Sequence, residues 1–225
     1  MAREAKKNQV PAVRRAQVRL PELLPFEDGE LESEGDYDGL EFRDLDLVGQ
    51  EGRGARFMDC GLYGVALDET RLSRVRVMDS VLEGVRGVGT NLAEASLRDV
   101  EIVDARLGGT QLHGAVLERV VVRGGKIDYL NLRRSKLTDV IFEGCVLVEP
   151  DFGDATLNRV EFRDCALRGV DLSGATLKDV DLRTVASLEI ARGAERLRGA
   201  VIGVSQMLDL APVFAGVMGV RVEGA

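Results

Sequence analysis

A hydrophobic residue recurs at every fifth position over most of this 225-residue chain. From Phe42 to Leu182, 27 of the 29 positions in this series are apolar, the exceptions being Gly52 and Gly87. A period of five fits neither the 3.6-residue period of an amphipathic helix nor the two-residue alternation of an ordinary strand. The pattern therefore predicts a repeat architecture, in which one short unit is stacked many times.

A second series, of small or β-branched residues such as Val65 and Ala95, lies two positions before each large residue. Residues two apart in extended chain point to the same side, so each unit directs one large and one small side chain inward. Gly or Asp is common two positions after the large residue, as at Asp44 and Gly49, and both are turn formers. Each unit is therefore predicted to be a short extended segment followed by a corner.

The units Ala155–Arg159 (Ala-Thr-Leu-Asn-Arg) and Val170–Gly174 (Val-Asp-Leu-Ser-Gly) resemble the pentapeptide-repeat family, and the resemblance covers residues 40–184. It implies an all-β fold, a right-handed quadrilateral parallel β-helix with 20 residues per coil. The phase is lost at residues 186–196 and returns at Leu197, which predicts an irregular coil with a loop or short helix there.

Three parts of the chain are expected. Residues 1–39 form an N-terminal tail and cap, whose apolar residues between 20 and 26 seal the first coil, and residues 1–10 are expected to be disordered. Residues 40–207 form the solenoid, with about eight coils and the irregular coil near 186–196. Residues 208–225 form a short C-terminal helical cap.

The C-terminal helix is expected to begin after Ser205, a favourable N-cap residue, and to end before Gly219. Pro212 should kink or restart it. Gyrase-protecting members of the resembled family dimerise through C-terminal elements, which makes the helix a possible homodimer interface. The alternative is that it only caps its own coil. The candidate dimer residues are Leu210, Val213, Phe214 and Val217.

The composition argues against catalysis. His113 is the single histidine, and it has no carboxylate or nucleophile motif in its own repeat. Cys60, Cys145 and Cys165 contain no CxxC pair, so buried thiols are favoured over a metal site. The sequence predicts a protein that is not an enzyme, with no cofactor and no metal. With no secretory signal and no membrane-spanning stretch, it is expected to be cytoplasmic and not to contact a membrane.

The charge is concentrated on one side of the predicted rod. The chain has a net charge of −8, which disfavours direct nucleic-acid binding. With 20 residues per coil, the outward positions fall on four faces, three of which have net charges between −1 and +1. The fourth contains Phe42 and Leu62 and carries nine acids against four arginines, a net charge of −5. These acids define the acidic face: Glu41, Asp44, Glu83, Glu101, Asp104, Glu143, Glu161, Asp164 and Asp181.

Two functions follow from the resemblance and this surface. The quinolone-resistance branch of the pentapeptide-repeat family binds type II topoisomerases, DNA gyrase and topoisomerase IV, as an acidic rod of duplex-like width. The resemblance thus implies a DNA-mimicking protein that binds and protects DNA gyrase, giving fluoroquinolone resistance. The alternative is a structural scaffold for an unidentified protein partner. Outward apolar residues on the acidic face favour such a contact, namely Val81, Val103, Val121 and Ile141.

Overall fold

The computed structural model describes residues 10–27 and 29–223, so the disorder expected for residues 1–10 falls almost wholly outside the described residues. The fold is a parallel β-solenoid of about nine turns with one short C-terminal helix, which confirms the predicted fold class. The turn beyond the expected eight comes from residues before Phe42, where Leu24 pairs with Leu40.

The strands follow one another along the rod. They are β1 Leu24–Pro25, β2 Asp36–Asp38, β3 Leu40–Arg43, β4 Arg56–Met58, β5 Gly61–Tyr63, β6 Arg76–Glu83, β7 Arg86–Val88, β8 Ser96–Val103, β9 Arg106–Gly108, β10 Val116–Arg123, β11 Lys126–Asp128, β12 Lys136–Glu143, β13 Val146–Val148, β14 Thr156–Arg163, β15 Ala166–Asp171, β16 Thr176–Thr184, β17 Ser187–Arg192 and β18 Ala200–Val201. A 3-10 turn covers Ala194–Arg196, and helix α1 covers Val204–Val217.

Each 20-residue turn contributes to four parallel ladders. The long strands β6, β8, β10, β12 and β14 belong to one large sheet. Each bends at a corner residue in its middle, so that each strand runs along two adjacent faces of the rod. The odd-numbered strands from β7 to β17 form a six-stranded sheet on the third face of the rod. The fourth face is a column of single β-bridges, such as Gln111 to Asn131 to Asp151. The pairing of Val120 with Val140 and of Val140 with Val160 shows the 20-residue register.

The corners use backbone in the left-handed region. Asp99 and Asp104 have φ values of 53° and 51°, which explains why the sequence favours Asp and Gly there, since both tolerate this conformation better than most residues. Gly64 is favoured for a second reason. A Cβ atom on Gly64 would meet the carboxylate of Asp44, the equivalent corner residue one turn earlier, and that side chain would have to move aside.

The interior of the solenoid is filled by the two inward series. Phe142 and Phe162 stack on successive turns with ring centroids 4.9 Å apart, and small residues such as Ala155 fill the adjacent positions. The three cysteines are free and buried, and burial raises the pKa of the Cys60 thiol. At Gly52, where the series lacks a large residue, the neighbouring space is filled by Leu31 and Leu72.

The irregular coil results from shifts of one residue in the register. Arg163 pairs with Thr184 and Leu167 with Leu188, which are 21 residues apart, whereas Val170 pairs with Ile190, which is 20 residues away. Leu188 thereby packs against the core in place of Ser187, which is exposed. The segment forms β17 and a 3-10 turn, and β18 then resumes the 20-residue register with β16.

Helix α1 begins earlier than the sequence suggested. Its N-cap is Gly203, not Ser205, because the side chain of Gln206 accepts a hydrogen bond from the backbone amide at the start of the helix. The Gly203 amide donates to Gln206 Oε1 at 2.9 Å, while Gln206 Nε2 donates to the Val185 carbonyl at 2.9 Å. The helix continues through Pro212, and Gly219 follows it with a positive φ of 73°.

Candidate interaction surface

About half of the carboxylates on the acidic face are paired with arginines. Glu41 binds Arg43 at 2.7 Å, and Asp181 binds Arg183 at 2.6 Å. Two residues apart on one strand, these partners project to the same side. The further pairs are Glu161 with Arg163, and Glu143 with Arg123, Arg163 and Arg15. These pairs lower the charge that the face presents to a partner.

The other five carboxylates on this face have no ion pair within 4 Å among the residues described. Glu83 and Glu101 lie on strands, whereas Asp44, Asp104 and Asp164 lie at one corner and are exposed. The corner aspartates are 60 residues apart, which places them three turns from one another, and glycines occupy the corner in the intervening turns. These three carboxylates therefore form an open acidic column along one edge of the face.

The N-terminal segment lies over the acidic face. We call residues 10–23 the arm. Ala16 is 6% exposed and packs against Val121 and Ile141, with Val13 and Val18 packed alongside. Val121 is consequently only 3% exposed and Ile141 is fully buried.

The arm must run along the rod axis. Leu24 pairs with Leu40 and so lies one turn before Glu41, whereas Val121 and Ile141 lie four and five turns beyond Glu41. At about 4.8 Å per turn, the separation of Val121 and Ile141 from Leu24 is about 24–29 Å. The eight residues from Ala16 to Leu24 span at most about 29 Å when fully extended. The arm is therefore nearly extended along the face.

Two arginines of the arm form ion pairs with the solenoid. Arg14 binds the carboxylate of Asp139 through its backbone amide at 3.2 Å, its Nε at 2.9 Å and an Nη at 2.7 Å. Arg159, one turn further along, binds the same carboxylate at 2.7 and 2.8 Å. Hydrogen bonds from Arg159, and then from Arg14, outweigh burial and hold the pKa of Asp139 far below its usual range. Arg15 contacts Glu143 at 3.4 Å.

The outward apolar residues thus differ in their availability. Val121 and Ile141 are covered by the chain's own arm, while Val81 and Val103 remain half-buried. The sequence analysis predicted all four on the outside of the rod and did not predict that residues 10–23 cover two of them. The available signals for an extended, basic segment were the prolines at positions 11 and 21 and the adjacent arginines between them.

The four candidate dimer residues are not equally accessible. Leu210 is 2% exposed because α1 packs on the 3-10 turn and on β17. Val213 and Phe214 are half-buried, and Val217 is exposed. The apolar residues that face solvent in the first two turns of α1 are Val204, Met207 and Leu208.

The described residues contain no group of three or more His, Cys, Asp or Glu side chains suited to holding a metal ion. His113 is exposed. No helix among residues 10–27 and 29–223 has the length and apolar character needed to cross a membrane.

These features define a parallel β-solenoid with one acidic, partly neutralised face. The chain belongs to the pentapeptide-repeat family, since the family model described as a pentapeptide repeat region matches residues 55–132 and 135–189.

Solved structures with a similar fold include two named proteins. One is HetL, a pentapeptide repeat protein involved in heterocyst differentiation regulation from the cyanobacterium Nostoc sp. strain PCC 7120. It is 18% identical, with 78% of this chain and 93% of that chain covered and a TM-score of 0.32. The other is full-length QnrB1, a plasmid-mediated fluoroquinolone resistance protein. It is 16% identical, with 83% and 95% covered and a TM-score of 0.38. No curated protein matches the chain.

Proposed function

We propose that this protein is a non-enzymatic interaction module whose acidic face binds a basic surface of a partner protein. The DNA-binding surface of a type II topoisomerase, such as DNA gyrase, is the specific partner we propose. The open column of Asp44, Asp104 and Asp164 supports this proposal most directly, because these exposed carboxylates have no ion pair in the described part of the chain.

The charge density sets the expected strength of binding. Nine turns at about 4.8 Å give a rod of about 43 Å, and duplex DNA of that length carries about 25 charges. The acidic face has a net charge of only −5. Electrostatic attraction alone is therefore weak, and we expect an affinity in the micromolar range that falls as the salt concentration rises.

The test is supercoiling by purified DNA gyrase, with and without a fluoroquinolone. Micromolar protein is expected to inhibit supercoiling or to restore it in the presence of the drug. For a variant with Asp44→Asn, Asp104→Asn and Asp164→Asn, the protein concentration needed for the same effect should rise at least about tenfold, because three unpaired charges are removed. Asn tolerates the left-handed corner, so the fold should be retained.

A matched control removes the same charge elsewhere. Glu69, Glu94 and Glu149 are also exposed corner residues with positive φ, but they lie outside the acidic face. Their replacement by Gln should leave the effect on gyrase unchanged. Equal loss in both variants would show that only net charge matters. No effect of the wild-type protein would exclude the topoisomerase and leave an interaction scaffold for a different protein partner.

We also propose that the protein forms a homodimer through the solvent-facing side of α1. Val204, Met207 and Leu208 present an exposed apolar surface there, and Leu208 is 70% exposed. Burying such residues against a second copy would remove apolar area from water.

A further inference from the structure

We propose that the surface beneath the arm is a docking site for an extended, arginine-bearing segment of a partner protein, and that the arm occupies this site until the partner segment displaces it. The site comprises Asp139, Glu143, Val121 and Ile141. The inference rests on the proposed function only in placing the partner on the acidic face.

The site recognises a specific order of side chains. Asp139 and Glu143 form ion pairs with the two arginines. Val121 and Ile141 pack against a small residue, which is almost fully buried by this contact. In the arm these positions read Arg14-Arg15-Ala16. A partner segment with two adjacent arginines followed by a small residue would reproduce every one of these contacts.

The site persists when the arm leaves. Two solenoid residues hold the carboxylates in place. Arg159 donates two hydrogen bonds to Asp139, and Arg123 donates one to Glu143 at 3.2 Å. Both carboxylates are therefore oriented before any ligand binds, which limits the entropy that binding must offset.

The arm is held weakly enough to be displaced. Among the described residues, the backbone of residues 10–23 makes no hydrogen bond to the solenoid backbone, and the first such bond is from Leu24 to Gly39. The side chains of Arg14 and Arg15 are 63% and 42% exposed, which limits what their ion pairs contribute. The buried carboxylate of Asp139 keeps its ion pair with Arg159 when Arg14 leaves, so displacement of the arm does not leave a buried charge unpaired. A tethered segment with so few contacts can exchange with a partner segment in solution.

The experiment measures binding of a fluorescent peptide with the sequence of residues 11–20 to the full-length protein. In the wild type the arm competes with the peptide. Ala16→Asp should release the arm, because it places a charge against Val121 and Ile141 beside two carboxylates. We expect the peptide to bind this variant at least tenfold more tightly than the wild type. Gln17→Asp is the matched control, since Gln17 is exposed and the charge change is the same.

Changes in the peptide and in the site test the contacts. Replacing both peptide arginines that correspond to Arg14 and Arg15 by alanine should abolish binding. Replacing the one that corresponds to Arg19 should not, because Arg19 is exposed and the ion pairs of the arm with the solenoid are made by Arg14 and Arg15. Adding Ile141→Asp to the Ala16→Asp variant should abolish binding of the original peptide.

Two results would overturn the inference. One is equal peptide affinity for the wild type, the Ala16→Asp variant and the Gln17→Asp variant. The other is a wild-type dimer that becomes monomeric only with Ala16→Asp, because the arm would then lie on a second copy. The peptide assay contains no topoisomerase, so its outcome is independent of the supercoiling assay.

Discussion

At the scale of single residues, Asp139 is the charged group that the fold encloses most completely. Its side chain is 0% exposed and lies between Arg14 and Arg159, at a corner with a φ of 57°. The turn spacing explains this arrangement, because acid and base alternate in one corner column from Arg119 to Asp139 to Arg159. The same column begins with Asp59, Asp79 and Asp99, where no base intervenes.

We predict that Asp139→Asn lowers the free energy of unfolding by about 2 kcal/mol at pH 7, because two arginines lose their buried partner. The folded-state pKa of Asp139 is lowered below an ordinary value near 3.9. Its contribution is therefore present above about pH 5 and is lost as the pH falls below about 4. Urea denaturation at pH 7 and pH 3 should show the difference from wild type shrinking in acid. A difference independent of pH would contradict the prediction.

The same substitution at Asp79 provides the comparison for this experiment. Burial, and then Asp99 and Asp59, raise the pKa of Asp79, so its charge opposes folding at neutral pH. Asp79 is exposed, and solvent screening limits the effect. We therefore expect Asp79→Asn to be neutral or stabilising by less than about 1 kcal/mol.

At the scale of elements, the two ends of the rod are closed by different structures. The C-terminal end carries α1, which packs on the last turns through Leu210. The N-terminal end is closed by aromatic rings: Phe26 stacks on Phe42 with centroids 4.4 Å apart and meets Tyr37 edge-on at 5.6 Å. Both devices protect a core that an open turn would expose to water.

We predict that Phe26→Ala lowers the free energy of unfolding by about 3 kcal/mol, because it removes a buried ring and leaves a cavity above Phe42. Leu24→Ala is the control, since Leu24 lies in the same short segment but is 66% exposed. It should change the stability by less than about 0.5 kcal/mol. Chemical denaturation measures both variants, and equal destabilisation would show that the segment from Leu24 to Phe26 as a whole, not the ring of Phe26, closes the end.

The repeats of the solenoid could be predicted from the sequence, whereas the position of the arm and the start of α1 could not. The period of five predicted the inward residues and the corners because each repeat contacts only its neighbours 20 residues away, so local pattern and tertiary contact coincide. The position of the arm could not be predicted in this way, because Ala16 contacts Val121 and Ile141 across more than 100 residues without any repeat. Likewise, the start of α1 depends on the contact between Gln206 and Val185, which capping preferences do not include.

At the scale of the whole molecule, two surfaces remain for partners. The acidic face is partly covered by the arm along its length, and the exposed side of α1 lies at the C-terminal end. Because these surfaces are separate, a homodimer through α1 would leave both acidic faces available. A symmetric pairing of this kind is the commonest form of homo-oligomer.

We predict a concentration-dependent dimer that Leu208→Asp converts to a monomer, because a charge in the interface would lack a partner. Sedimentation velocity over a range of protein concentrations measures the change. Val88→Asp is the control, since Val88 is an exposed apolar residue on a different part of the rod, and it should leave the dimer intact. A wild-type monomer at about 50 µM, a concentration at which a dimer with a Kd of about 1 µM would be mostly formed, would contradict the proposal.

The unbroken 20-residue register from Arg56 to Arg163 has a consequence for how such a chain can evolve. Duplication or deletion of one complete coil preserves every neighbouring contact, so the gene can change the length of the rod in steps of about 4.8 Å without altering its cross-section. A change of a single residue instead shifts the register between neighbouring coils, as the mixture of 20- and 21-residue pairings before α1 shows. In lineages of this protein, we therefore expect length variation in whole coils within the central region and single-residue changes near the ends.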